Sequence, residues 1–201
     1  MDVGRSADGT PTHRLPLTLK ILVAGGFGVG KTTLVGAVSE IRPLHTEEVL
    51  TSLGAGTDDL TGVESKTTTT VAMDFGRITI NERVQIYLFG TPGQARFWFL
   101  WDELAYGALG AVVLADTRRL ADCFPSIDYF EERGIPFVVG VNAFAQSPPV
   151  DVDTVRQALD LDPEVPVLHC DARHRQSGKT LLVALVEYVA QRRGQPVPAA
   201  R

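Results

Sequence analysis

Residues 21–33 read Ile-Leu-Val-Ala-Gly-Gly-Phe-Gly-Val-Gly-Lys-Thr-Thr. Within them stands Gly25-x-x-x-x-Gly30-Lys31-Thr32, the spacing of a phosphate-binding loop. The apolar run Leu19 to Ala24 predicts a buried strand, and Leu34-Val35 with Ala37-Val38 predicts the start of a helix. The glycines therefore fall on a strand-to-helix turn. There the backbone N–H groups of Gly25, Gly26, Phe27, Gly28, Val29 and Gly30 would converge on a β-phosphate, beside the positive end of the helix. Lys31 would bridge β- and γ-phosphate oxygens, the Thr32 hydroxyl would ligate Mg²⁺, and Thr33 would close the motif. A glycine-rich turn with a chance lysine is the bland alternative. Strand, loop, Lys-Thr and helix in this order favour a site for a nucleoside triphosphate.

Outward from the loop, strands and helices alternate. Strands are expected near 17–24, 70–77, 83–89, 110–115, 137–141 and 165–169, and helices near 31–41, 95–106, 122–133, 151–160 and 177–191. The pair at 70–77 and 83–89 should form an antiparallel hairpin about Asn81-Glu82. The pattern implies an α/β fold of three layers, α/β/α, with a mixed, mainly parallel six-stranded sheet and ligands at the carboxyl ends of the strands. Residues 42–69 read as one long loop, a length that compact domains keep for function. Residues 1–15 read as a disordered leader, 16–192 as the nucleotide-binding domain and 193–201 as a flexible tail.

Composition narrows the class. The chain has 201 residues, 44% of them hydrophobic and 21% charged, enough for one domain with a sizeable core. A net charge of −5 gives no basic footprint for direct nucleic-acid binding. Cys123 and Cys170 are far apart and read as reduced thiols. The four histidines, at 13, 45, 169 and 174, have no metal-ligand spacing. Neither a membrane-spanning run nor a lipidation signal is evident, so no intrinsic membrane anchor is expected. The expectation is a cytoplasmic protein, brought to a membrane, if at all, by a partner.

Four further motifs join the loop. Gly90-Thr91-Pro92-Gly93-Gln94 follows the strand ending Tyr87-Leu88-Phe89. The Gly93 N–H could meet a γ-phosphate, and Gln94 could orient a hydrolytic water; a plain Pro-Gly turn opening a helix is the alternative. In the tract Lys66 to Phe75, Thr70 is the preferred second metal ligand, with Thr69 behind it, unless these threonines are simply strand formers. Asn142-Ala143-Phe144-Ala145 and Cys170-Asp171-Ala172-Arg173 end the strands beyond. Phe144 could be core or lie near a base.

In order and spacing, Gly25–Thr32, Thr70, Gly93-Gln94 and Asn142 resemble Ras-like small GTPases. Ala24–Thr33, Thr67–Arg77, Leu88–Gln94, Arg96-Phe97-Trp98 and Leu114–Arg119 are similar to the small GTPases of actinobacterial conservons, with the bacterial gliding-motility GTPases more distant. The resemblance covers about residues 17–192. It implies a Ras-like P-loop G domain that binds GTP and GDP with Mg²⁺ and hydrolyses GTP slowly as a molecular switch. Catalysis would rest on Gln94 and Lys31, and Mg²⁺ on Thr32 and Thr70. Asn142 and Phe144, with Asp171, Ala172 and Arg173, would hold the base, the Ala172 N–H donating to guanine O6. The implied partners are a roadblock-type protein and other conservon proteins, and in some members a pentapeptide-repeat protein.

Three positions depart from the Ras pattern. Phe27 replaces a glycine and crowds the entry of a partner's arginine. Gly90 stands where most members carry a metal-holding aspartate, and Ala145 where an aspartate reads guanine N1 and N2. These changes keep a rival open: a pseudo-GTPase binding module with little hydrolysis or relaxed ATP/GTP specificity. An ATP-dependent kinase would need a basic lid, and Arg118-Arg119 is the one tight basic pair outside the tail.

Overall fold

The computed structural model describes residues 15–51, 68–93, 99–145, 147 and 150–194. The leader up to residue 14, the tail beyond 194, and Gln94, Arg96, Phe97 and Trp98 lie outside the described residues. In chain order the elements are β1 (Leu17–Gly25), α1 (Lys31–Val38), β2 (Leu44–Thr51), β3 (Thr68–Asn81), β4 (Val84–Gly90) and α2 (Phe99–Ala105). Then come β5 (Gly110–Ala115), α3 (Phe124–Glu132), β6 (Phe137–Asn142), α4 (Val152–Ala158), β7 (Val167–Cys170) and α5 (Arg175–Arg192).

The strand order is β2-β3-β4-β1-β5-β6-β7. β1 runs parallel to both β4 and β5, and β5, β6 and β7 continue in parallel. β2, β3 and β4 pair antiparallel. The α/β fold with a mainly parallel mixed sheet is as expected, and all six expected strands are present. A seventh, β2, occupies the start of the 42–69 segment that read as loop. Its backbone pairs Leu44 with Phe75 through Thr51 with Thr68, extending the antiparallel edge.

β5 and β6 are buried along their whole length because helices cover both faces. On one face Ile21, Val23 and Leu114 pack with Leu34 and Val38 of α1 and Leu181 and Leu185 of α5. On the other, Leu22, Val113 and Val139 pack with Trp101 of α2 and Ile127 and Phe130 of α3. The α1–α5 crossing is tight at Gly178, where a Cβ would stand 2.4 Å from Val38 Cγ1 and 2.8 Å from Leu34 Cδ1. This crossing sets α1, and with it the loop that opens α1, against the end of β1. Helix bounds differ modestly from expectation. α1 stops at Val38, where the Ser39 hydroxyl takes over by donating to the Ile41 carbonyl, and a short 3-10 turn, Leu120–Cys123, precedes α3.

Candidate functional site

The site is built where β1 ends between β4 and β5. Gly25, Gly28 and Gly30 take φ values of 126°, 73° and 107°, in the region that favours glycine. Gly30 is also the cap of α1. Val29 is buried, while Gly28 and Thr33 face solvent. Lys31 Nζ turns back over the loop and donates to the carbonyls of Gly25 (3.0 Å) and Gly26 (2.8 Å). Burial pushes its ammonium down to about 8, and the Asp74 carboxylate pulls the other way. Phe27 is 66% exposed at the mouth of the loop, and its carbonyl accepts from Arg119 Nη2 at 2.9 Å.

Beside Lys31 stands a residue that the sequence reading passed over. Asp74, on β3, is buried, and its Oδ2 accepts the Thr32 hydroxyl at 2.5 Å. Cross-strand register places Asp74 directly opposite Gly90. A Cβ on Gly90 would stand 3.0 Å from both Asp74 Cβ and Asp74 Oδ2. A carboxylate from the neighbouring strand therefore stands beside the position of Gly90. A signal was present: Asp74 falls in phase with Gly76 and Ile78, all buried, so it is a charged residue at a core position of an alternating strand. Thr70 lies within β3 with its backbone opposite Val49, the third residue of the strand rather than its entry; its side chain is outside the described residues.

The loop after β4 closes against the phosphate loop. The Thr91 N–H donates to the Val23 carbonyl at 2.9 Å. Trp101, only 2% exposed, donates its indole N–H to the Pro92 carbonyl at 3.3 Å. A Cβ at Gly93 would stand 2.7 Å from Lys31 Nζ and 3.2 Å from the Phe27 nitrogen. Glycine is what permits that approach. Gln94, expected beside it, is outside the described residues.

On the expected base side, the polar groups meet one another. Asn142, buried at the end of β6, donates Nδ2 to the Val29 carbonyl and accepts the Ala172 N–H on Oδ1, both at 2.9 Å. The Ala172 N–H expected for guanine O6 is thus engaged within the protein, and Asn142 ties the phosphate loop to the loop after β7. Arg173 folds onto Asp171 (Nε–Oδ1 2.9 Å, Nη2–Oδ2 2.7 Å). This guanidinium holds the Asp171 carboxyl well below the usual carboxylate range. Phe144 is half-buried, with the Arg118 guanidinium 4.1 Å from its ring centre. Ala143 and Ala145 are exposed.

What the arrangement can do is hold a polyphosphate. It offers a glycine loop at a helix start, one half-buried lysine, and a Thr–Asp oxygen corner of the hard kind that suits Mg²⁺. Among the described residues no group of three or more His, Cys, Asp or Glu forms a metal site. Mg²⁺ at Thr32 and Asp74 would therefore complete its shell with phosphate and water, as it commonly does. No helix among the described residues is long and apolar enough to cross a membrane.

Comparison with known proteins agrees with this geometry. An uncharacterized protein of Methanocaldococcus jannaschii is 32% identical over 126 residues, covering 62% of this chain and 69% of that protein. The human Ras-related protein Rab-40A-like is 31% identical over 116 residues, covering 55% of this chain and 34% of its own length. Among solved structures, the cytosolic domain of the T. maritima FeoB iron transporter superposes with a TM-score of 0.60 at 17% identity, covering 86% of this chain and 64% of that one. The FeoB G-domain from Methanococcus jannaschii does so with a TM-score of 0.56 at 17% identity, covering 86% and 98%. Residues 23–192 match the family described as conserved hypothetical ATP binding protein. The chain belongs to that family.

Proposed function

We propose that this protein is a GTPase of the conservon type, binding GTP with Mg²⁺, hydrolysing it slowly and acting as a nucleotide-dependent switch toward partner proteins. The observation that carries the reading is the Thr32–Asp74 pair beside Lys31, 2.5 Å between its oxygens. It restores, from another strand, the carboxylate whose loss at Gly90 argued against a working metal site. When bound, Mg²⁺ would neutralise phosphate charge. Lys31 would hold the β- and γ-oxygens, the Gly93 N–H would receive the γ-phosphate and Gln94 would orient water. Phe27, exposed at the loop's mouth, would obstruct an arginine brought by a partner and so limit acceleration of hydrolysis by that route.

The test is a nucleotide titration with single-turnover hydrolysis. Lys31→Ala should weaken triphosphate binding about a hundredfold, as expected for losing a charge-assisted contact in a desolvated loop. Gln94→Leu should leave binding within about twofold and slow hydrolysis about tenfold or more, the span of a lost water-orienting group. Unchanged affinity in the lysine variant removes the nucleotide site. Unchanged hydrolysis in the glutamine variant leaves a binding module.

A further inference from the structure

The base motif Asn142–Ala145 carries an exposed methyl group at Ala145, where a reader of base edges would need an acceptor, and a second at Ala143. Its polar groups are largely engaged. Asn142 serves Val29 and Ala172, and the Ala172 N–H serves Asn142. Among the described residues one Nδ2 hydrogen of Asn142 is left over, and it suits N7, an acceptor that both purines present. Charged groups reach this motif from the segment after β5. Asp116, its side chain 3% exposed, is clamped by Arg118 through Nε–Oδ1 at 2.9 Å and Nη2–Oδ2 at 2.7 Å. It also accepts the Arg118 backbone N–H at 3.0 Å. The clamped guanidinium lies 4.1 Å from the Phe144 ring centre. Arg119 turns the other way, 3.9 Å from Asp116 Oδ2, to hold the Phe27 carbonyl at 2.9 Å. One buried carboxylate thus carries two guanidinium groups that span the distance from base motif to phosphate loop. A nucleotide with phosphates in the loop and its base at residues 142–145 runs along this span.

We propose that Arg118, clamped by Asp116 and stacked on Phe144, is the shelf that receives the base, so that the site selects purine nucleotides by stacking and separates guanine from adenine weakly. The inference rests on the nucleotide reading above and adds the group that recognises the base. A planar, delocalised, weakly hydrated guanidinium stacks on a flat ring where an ammonium does not. The bidentate clamp fixes its plane in advance, so little freedom is lost when a base arrives. Stacking reads the π-face, which every base has, and so favours the larger purine ring without reading its edge.

The experiment titrates GTP, ATP, CTP and inorganic tripolyphosphate, each with Mg²⁺, into the full chain and into Phe144→Ala, Arg118→Lys and Arg118→Ala. Wild type is expected to bind GTP and ATP within about threefold of each other and CTP about tenfold more weakly, from the smaller stacking area. Phe144→Ala and Arg118→Ala should each weaken both purine nucleotides about tenfold, the size of one base-stacking contact, and leave tripolyphosphate unchanged. Arg118→Lys, which keeps the charge and loses the plane, should behave as Arg118→Ala does. Arg118→Ala leaves Asp116 with a poorer partner, so its melting temperature is measured alongside. Phe144→Ala spares that ion pair and tests the shelf independently. Parallel loss of tripolyphosphate, rescue by lysine, unchanged purine affinity, or a hundredfold GTP preference in wild type would each overturn the shelf. Wild type binding neither nucleotides nor tripolyphosphate would overturn the nucleotide reading itself.

Discussion

Three residues carry the proposed chemistry of the site, and they predict measurable responses. Asp74 and Gly90 face each other across β3 and β4, so the carboxylate and the bare backbone are a complementary pair. Asp74→Ala should lower the Mg²⁺-dependent gain in GTP affinity about tenfold, in the range seen when an outer-shell partner of a metal is lost. Affinity measured in EDTA should stay the same. Gly90→Asp alone sets two carboxylates against each other and should destabilise the fold. The exchange Asp74→Gly with Gly90→Asp should restore stability and metal dependence together, which thermal melts and titrations with and without Mg²⁺ would show. Lys31 responds to pH. Burial holds it at about 8 instead of 10.5 in the free protein, and a bound triphosphate favours its charged form. Binding should therefore take up a proton between pH 8 and 10.5, and affinity should fall as pH rises through 8, by up to about tenfold per pH unit for one proton. Calorimetry in buffers of different ionisation enthalpy measures that uptake. The sign for folding is opposite: the unfolded chain holds the extra proton across this window, so the free protein gains stability as pH rises through it.

At the scale of elements, α1 carries Lys31 and Thr32, and α5 holds α1 in place. Gly178 lets them meet, since a methyl there would overlap Val38 Cγ1 at 2.4 Å. Gly178→Ala should cost about 1–3 kcal/mol as overpacking against a well-filled core. Pairing it with Val38→Ala should return part of that loss, because the removed branch is the atom in conflict. Chemical denaturation of the two variants checks the sign of the coupling. α2 works differently. Trp101 joins the loop after β4 to the aromatic core, its ring centre 4.9 Å from that of Tyr129 and 5.7 Å from that of Phe130. It anchors the loop carrying Gly93 and belongs to the core.

For the molecule as a whole, the switch reading needs a surface that a partner can grip, and Phe99 at the start of α2 is our candidate for it. Of the two aromatic residues of α2, Trp101 is core and Phe99 is 60% exposed. Aromatic side chains exposed near a nucleotide-sensing loop are the usual anchors of partner binding. With a roadblock-type protein as the proposed partner, Phe99→Ala should weaken capture of that partner by the GTP-analogue-loaded form about tenfold, the effect of one such anchor, while stability stays unchanged. Equal capture by GDP-loaded, GTP-analogue-loaded and Phe99→Ala protein would move the interface elsewhere.

The sequence by itself determined the strand–loop–helix at 21–38, the six-strand alternation and the place of Asn142, because these rest on local periodicity and on glycines whose φ the backbone requires. It located Phe27, Gly90 and Ala145 as departures but read two of them as simple losses. Only the tertiary structure decided which side chains come near those positions. Asp74 is sixteen positions from Gly90 in the chain and is brought opposite it by antiparallel register. Arg118 meets Phe144 because β5 and β6 end side by side in the parallel sheet. β2 was hidden for a related reason: its partners are hydrogen bonds from β3 and leave little trace in its own residues, Leu-His-Thr-Glu-Glu-Val-Leu-Thr. Local chemistry writes the phosphate loop into consecutive residues. Carboxylates and guanidinium groups act through space, so the sequence names them while pairing across strands decides which of them meet.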